Sequence, residues 1–462
     1  MENRIKQAIV DIVGTSNFTD SLIDLVSYSY DASDHEQRPD AAVWPAKTED
    51  VSKILQVANT YHFPIIPRGA GTGLAGAVVP IHGGLILDMC RMNKILDIRI
   101  ADRLVRVQPG VVYDDLQNAL APSGFCFPPD PASGSVCTLG GNVATNAGGI
   151  RGAKYGVTRD YVLSLVIVLP NGRILRTGTD CMKSSSGLDL TRLFVGSEGT
   201  LGVITEITLK IIPKPIASKT CQAFFADLQD AGQAVSDIMH SRIVPSVLEV
   251  LEENAILILR NHGGMKLPDA RAMILVETDG YTKEEADFQM TEVINVLKKN
   301  RATRIQVAKS PREAEDLWRG RKALSSAAAR LRPNNISEDV TVPISKVPDL
   351  LAGISRIARK HGLLFVIFGH AGDGNLHPKI MYDRNNPQQV QKISAAVGEI
   401  FHLTCNLGGT LTGEHGIGLA KAPFMLLEHS QTSLDLMSAI KNLVDPNNIL
   451  NPGKMGLRTG AQ

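Results

Sequence analysis

The segment PRGAGTGLAG, residues 67–76, constrains the fold more than any other. Its core, Gly71 to Gly76, satisfies the pattern GxGxxG. In a dinucleotide-binding βαβ unit such a run must open a helix whose N-terminus carries the pyrophosphate. The next residues are AVVPIHGG, and Pro80, Gly83 and Gly84 stop any helix within about two turns. A loop therefore presents these amides. With no side chains in the way, its N–H groups can close around an anion as a nest does, and phosphate is the natural guest.

Two more loops of this kind lie downstream. PDPASGSVCTLGGNVATNAGG adds small residues and the hydroxyl or amide groups of Ser135, Thr138, Asn142, Thr145 and Asn146, and GSEGTLGVIT at 196–205 adds another set. A tight turn accounts for any one of them. Three in one half of a chain are better explained by one large ligand bearing a diphosphate.

The last third holds a different signal. His370 and His377 in FGHAGDGNLHPK are followed by Glu414 and His415 in GGTLTGEHGIG. The polar turn AGDGN lies between the apolar run LLFVIFG and LHPKIMY, which predicts a β-hairpin that folds His377 back beside His370. A single histidine in a strand is ordinary. Two at one end of a sheet, with Glu414 as a carboxylate, can form a metal set that keeps positions open for a substrate.

Length and charge limit the alternatives. The 462 residues are enough for two domains. Lys+Arg 48 against Asp+Glu 47 leaves a formal charge of +1, so no basic field points to nucleic acid or an anionic membrane, and the partner is expected to be a small molecule or another protein. Cys90, Cys126, Cys137, Cys181, Cys221 and Cys405 are scattered without CxxC pairs, which argues against an iron–sulfur cluster, a zinc ribbon or a disulfide framework and fits a reducing cytoplasm. The start, MENRIKQAIVDIVG, reads as an amphipathic helix and not a signal peptide. The most apolar run, YVLSLVIVLP, is far below the roughly 20 residues of a membrane span, so no transmembrane segment is expected and the location is expected to be cytoplasmic.

Along the chain, AAVWPAK and FPIIPRG read as strands flanking the helix TEDVSKILQVANTYH, and LILDM, RLVRVQPG and YVLSLVIVLPNGRILRTG supply further strands. The prolines of IIPKPIASK, 211–219, mark a boundary. Beyond it, strands such as CQAFFA, RAMILVETDG, EDVTVPISK and LLFVIFGH alternate with amphipathic helices, which predicts a second α+β domain. Ser310 with Glu313, and Thr282 with Glu285, read as capping boxes.

In this order, PRGAGTGLAG, GGNVATNAGGIRGAKYGVTRDYV, GSEGTLGVITEITLKIIP, GHAGDGNLHP, GEHGIG and ILNPGKM resemble the FAD-binding type 4 family of the vanillyl-alcohol oxidase superfamily. Within it the chain is similar to the group of D-lactate dehydrogenases, glycolate oxidase catalytic subunits and D-2-hydroxyglutarate dehydrogenases. The resemblance implies an α+β protein: an N-terminal helical segment over 1–36, a two-lobed PCMH-type FAD-binding domain over 37–215, an α+β substrate or cap domain over 216–408, and a C-terminal segment, 409–462, that returns to the flavin. It implies non-covalent FAD held by Arg68, Gly69, Ala70, Gly71, Thr72, Gly73 and Leu74 at the pyrophosphate. Further contacts are expected from Pro131, Ser135, Thr138, Gly141, Asn142, Thr145, Asn146, Gly148, Glu198, Gly202, Ile204 and Asn451. His82 is expected at the surface.

By the same resemblance, His370, His377 and Glu414 would bind a divalent metal (Zn, Mn, Fe or Co), and His415 would be the general base, with a role as fourth ligand as the alternative. Arg321 and Lys379 would recognise the substrate carboxylate. Ser337 stands where the hydroxyglutarate enzymes have a lysine, which favours a small monocarboxylate. The implied activity is oxidation of a D-2-hydroxy acid, D-lactate or glycolate, with electrons passed to an iron–sulfur subunit, an electron-transferring flavoprotein or a quinone. The alternatives are a D-2-hydroxyglutarate dehydrogenase, a non-redox transferase of the alkylglycerone-phosphate synthase type, and a flavin electron carrier.

Overall fold

The runs AAV, IIPR and LILD are short and almost uniformly apolar, as suits strands covered on both faces. In the computed structural model, which describes residues 1–458, Leu85–Asp88 lies between Ala41–Val43 and Ile65–Arg68 in parallel register, and Phe18–Thr19 extends the sheet antiparallel. The crossover helix Thr48–Tyr61 buries Val51, Ile54, Leu55 and Ala58 against this sheet, together with Ile5 and Ile9 of the helix Asn3–Val13. A second, five-stranded antiparallel sheet has Val203–Lys210 at its centre, between Leu104–Val107 and Val162–Val168. Both sheets belong to one compact unit made of Met1–Ala147, Val157–Lys214 and the described residues from Glu414 onward. His82 is exposed in it.

The other unit comprises Gly148–Gly156 and Pro215–Gly413. Its sheet of eight strands is antiparallel throughout, with Val247–Glu252 flanked by Ala272–Gly280 and Leu364–His370. Leu364–His370 and Asn375–Tyr382 form the hairpin that the turn AGDGN predicts, with Phe368 opposite His377 and His370 opposite Asn375. Gly374 takes a left-handed φ of 83° at the turn, a conformation that glycine adopts without cost. EDVTVPISK, read as one strand, yields only Val340–Thr341. Pro343 cannot donate to a ladder, and the chain turns into a short 3₁₀ segment at Ile344–Lys346.

Helix starts agree with their local signals. Thr282 Oγ1 accepts from Glu285 N at 3.1 Å, and Ser310 Oγ accepts from Glu313 N at 3.3 Å. The two glutamates reach back to the N–H groups of Tyr281 and Lys309, one residue further out than a capping box requires. Among the described residues, no helix is long and apolar enough to cross a membrane.

Glu252 ends its strand and caps the helix Glu253–Asn261, its Oε1 accepting from Asn254 N at 2.9 Å and Ala255 N at 3.3 Å. Burial pushes its carboxyl up to about 7 despite these bonds. The folded chain therefore holds a proton there that the unfolded chain has released, so stability falls as pH rises from about 4.5 to about 7, and the loss is complete above that. Glu252→Gln is neutral at every pH and can still accept through Oε1. Urea unfolding should show the variant gaining roughly 2–3 kcal/mol on the parent between pH 4 and pH 8; parallel pH profiles would contradict this.

Candidate active site

Register places the side chains of one sheet face. In an antiparallel pair, residues directly opposite point the same way, and alternate residues along a strand share that side. Glu249 is opposite His370, Phe368 opposite His377, Val366 opposite Lys379, and Ser337 opposite Lys379. One face of this unit thus carries Glu249, Phe368, His370, His377, Lys379 and Ser337. The rings of His370 and His377 stand edge to face, 4.9 Å apart between centroids.

Each ring has a carboxylate at its Nδ1. Glu249, fully buried, bonds His370 Nδ1 through Oε1 and Arg321 Nε through Oε2. Burial alone would raise its carboxyl, but the charges and hydrogen bonds of His370 and Arg321 outweigh that and hold it at about 2. Asp339 Oδ1 lies 3.6 Å from His377 Nδ1, an ion-pair distance longer than a hydrogen bond. Asp339 also accepts from Asn375 Nδ2 at 2.6 Å, Thr412 Oγ1 at 2.7 Å and Gly413 N at 2.9 Å. The segment Thr410–Gly413 is thereby tied beside Thr341 and Asn375, and Glu414 and His415, both half-buried, are the next two residues in the chain.

Arg321 projects from the helix Pro311–Ala328 with only 11% of its side chain exposed and its guanidinium 4.8 Å from the centroid of the Phe368 ring. Its Nε is committed to Glu249. Burial, and then the charge of Arg321, pulls the Lys379 ammonium below the ordinary lysine range. Two neighbouring cations at a half-buried site repel each other, and an anionic ligand relieves the repulsion.

The other unit brings the three glycine-rich loops together. Gly69 faces Thr138, whose Oγ1 caps the helix Leu139–Thr145 by accepting from Gly141 N at 3.3 Å; a Cβ on Gly69 would overlap that hydroxyl. The third loop joins the second through Gly196 N to Val143 O at 2.9 Å and Glu198 N to Ala144 O at 2.8 Å. Asn451 Nδ2 donates to Ala77 O at 2.8 Å and Glu198 O at 2.7 Å, so the C-terminal stretch joins the first and third loops. Arg68 is buried with Nη1 donating to Tyr30 O, and its guanidinium lies where a Cβ on Gly71 would sit.

The remaining expected contacts lie in several settings. Asn142 is buried in the capped helix, Thr145 Oγ1 returns to Gly141 O, and Asn146 Oδ1 accepts from Arg159 N. Pro131 and Ser135 belong to the turn before Thr138, where Ser135 is exposed. A Cβ on Gly202 would overlap the side chain of Ile167, and Ile204 is buried in the central strand. Gly148 is buried at the start of the 148–156 excursion, which belongs to the unit of the histidine hairpin.

Glu198 and Asn451 both hold left-handed backbone, φ 50° and 41°. Asparagine tolerates this conformation better than glutamate does. Glu198 is kept there by its carboxylate, which accepts from Ile417 N at 2.7 Å and Gly418 N at 2.8 Å, fixing the GIG turn just after His415. Glu249, Asp339 and Asn375 escape sequence reading because their partners are distant in the chain. The available signal was an acid at the centre of the otherwise apolar run VLEVL.

The first loop suits a diphosphate. Among the described residues no protein acceptor takes the N–H of Ala70, Gly71, Thr72, Gly73 or Leu74. A Cβ at Gly73 would meet only Asp31 Oδ2, at 3.8 Å, so space lies beside these amides. Gly73→Val should fold normally and lose at least 90% of its bound flavin, read by absorbance after gel filtration. Full flavin occupancy would remove the diphosphate from this loop.

Comparison with known proteins adds to this geometry. A family model described as FAD binding domain matches residues 39–178, and one described as FAD linked oxidases, C-terminal domain, matches residues 214–455. The chain is 43% identical over 454 residues to glycolate oxidase subunit GlcD of Bacillus subtilis (strain 168), covering 98% of this chain and 96% of that one. It is 34% identical to the D-lactate dehydrogenase of Anaerostipes hadrus, covering 90% of each chain. Among solved structures, p-cresol methylhydroxylase with substrate bound superposes with a TM-score of 0.82 at 21% identity, covering 98% of this chain and 96% of that one. An alkyldihydroxyacetonephosphate synthase gives a TM-score of 0.76 at 20% identity, covering 98% and 86%. At such identities the likeness is one of fold.

Proposed function

The chain belongs to the family of FAD-linked oxidases and is an oxidoreductase, and from that premise we propose that it oxidises a small D-2-hydroxy acid, D-lactate or glycolate, to the 2-oxo acid. The observation that carries this reading is the pairing of Arg321 and Lys379 with His377 and His370 around one sheet face. A carboxylate matches the cations, and a hydroxyl on the adjacent carbon falls toward the imidazoles. The relatives named for glycolate and D-lactate support the same class of substrate.

The FAD is held non-covalently by the glycine-rich loops, with the amides of residues 70–74 at its diphosphate. His370, His377 and Glu414 form the metal set. Two imidazoles and a carboxylate suit Zn, Mn, Fe or Co, and the engagement of His370 Nδ1 by Glu249 leaves Nε2 as its donor. When bound, the flavin supplies the hydride acceptor, and the ion supplies Lewis acidity toward the hydroxyl oxygen.

The chain's own residues do the rest. Arg321 and Lys379 hold the carboxylate, and Phe368 fixes the plane of the guanidinium. His415 takes the hydroxyl proton, a role that neutral imidazole can fill near pH 7. Ser337, opposite Lys379, adds no third cation for a distal carboxylate, which favours a monocarboxylate. The electrons leave to a partner protein or a quinone, since the chain's scattered cysteines form no cluster motif. The relative's designation as a subunit fits an assembly.

Dialysis against a chelator should abolish reduction of the flavin by hydroxy acid without releasing FAD, and added Zn, Mn, Fe or Co should restore it. His415→Ala should keep its metal and lose at least about 100-fold in kcat. Loss of metal together with turnover would make His415 a ligand, and full reduction after complete metal removal would defeat the metal assignment.

A further inference from the structure

Glu249 is neither a metal ligand nor a substrate contact in this scheme, yet both of its oxygens are engaged inside the site. Oε1 faces His370 Nδ1 and Oε2 faces Arg321 Nε, and the residue has no exposure to solvent. Its place is dictated by the sheet: Val247–Glu252 pairs antiparallel with Leu364–His370 and sets Glu249 directly opposite His370. The helix Pro311–Ala328 delivers Arg321 from another part of the chain, and the ring of Phe368 holds the guanidinium by its face. One carboxylate thus touches the imidazole proposed to bind metal and the guanidinium proposed to bind substrate.

We infer that Glu249 is a positioning residue that couples metal binding to recognition of the substrate carboxylate. By accepting from Nδ1 it holds His370 in the tautomer whose Nε2 lone pair is available to an ion, and it makes that nitrogen a better donor. By accepting from Nε it fixes the orientation of Arg321, so the terminal nitrogens form a fork aimed at an incoming carboxylate. Displacing either partner shifts the carboxylate that the other depends on. Metal affinity and KM should therefore move together when Glu249 changes, although it touches neither ligand.

This inference rests on the proposed metal and hydroxy-acid function, and the experiment separates the two. FAD-loaded parent, Glu249→Gln and Glu249→Asp are stripped with chelator, checked for flavin content and thermal unfolding, and titrated with Mn²⁺ and Zn²⁺. KM for D-lactate and for glycolate is measured at saturating metal. Glu249→Gln should bind metal 10–100-fold more weakly with its flavin unchanged, and KM should rise at least tenfold. Excess metal should restore kcat more completely than KM, a split that general loss of structure would not produce.

Glu249→Asp keeps the buried charge but is one methylene too short to span both partners, so it tests the coupling if the glutamine variant does not fold. It should bind metal at least tenfold more weakly and raise KM at least tenfold. Metal affinity and KM within twofold of the parent in a folded variant would overturn the inference and leave the metal reading intact. A parent chain that binds neither ion would overturn both.

Discussion

A fully buried carboxylate between an imidazole and a guanidinium is the interaction around which the sheet face of this unit is arranged. An isolated charge at Glu249 would be costly in such surroundings, and breaking a buried pair leaves an uncompensated ion. The chain avoids that cost by using both oxygens, on His370 and on Arg321. The antiparallel register then carries the arrangement outward: from His370 across the hairpin to His377 and along it to Lys379, and from Arg321 onto Phe368. Asp339 does comparable work at the other ring, where it faces His377 and anchors the peptide that precedes Glu414.

The flavin loops depend on a different device. Glycine lets three loops approach each other closely, and a few buried polar side chains lock them. Glu198 and Asn451 adopt backbone conformations that side chains rarely hold, and each is over-determined by hydrogen bonds to other loops. Lys454 Nζ on Val79 O and Lys441 Nζ on Thr200 O tie the C-terminal stretch to the same loops. The amides of residues 70–74 take no part in these locks and remain available to a ligand.

Local patterns in the sequence were enough to foresee the histidine hairpin, the loop character of GTGLAG and the two helix starts. Each is set by neighbours within a few residues: a Gly374 turn, the breakers Pro80 and Gly83, and the hydroxyls of Thr282 and Ser310. The features that escaped are those that long-range pairing decides. Nothing near Glu249 announces Arg321, 72 positions away, and nothing near Glu198 announces Ile417, 219 positions away. The excursion at 148–156 is held by Lys154 and Tyr155 on Asp279 and by Arg151 on Glu277, contacts that no local periodicity encodes. EDVTVPISK carried the composition of a strand, but Pro343 ended it.

In the proposed site the hairpin and its two carboxylates present Nε2 of His370 and His377 to a single divalent ion. Anomalous diffraction from crystals grown with Zn²⁺ or Mn²⁺, collected on both sides of the metal absorption edge, tests this directly. One peak is expected about 2.0–2.2 Å from both Nε2 atoms, with Glu249 still on His370 Nδ1. A peak at Nδ1 of either ring, or no peak in crystals of protein that reduces its flavin with D-lactate or glycolate, would refute the assignment.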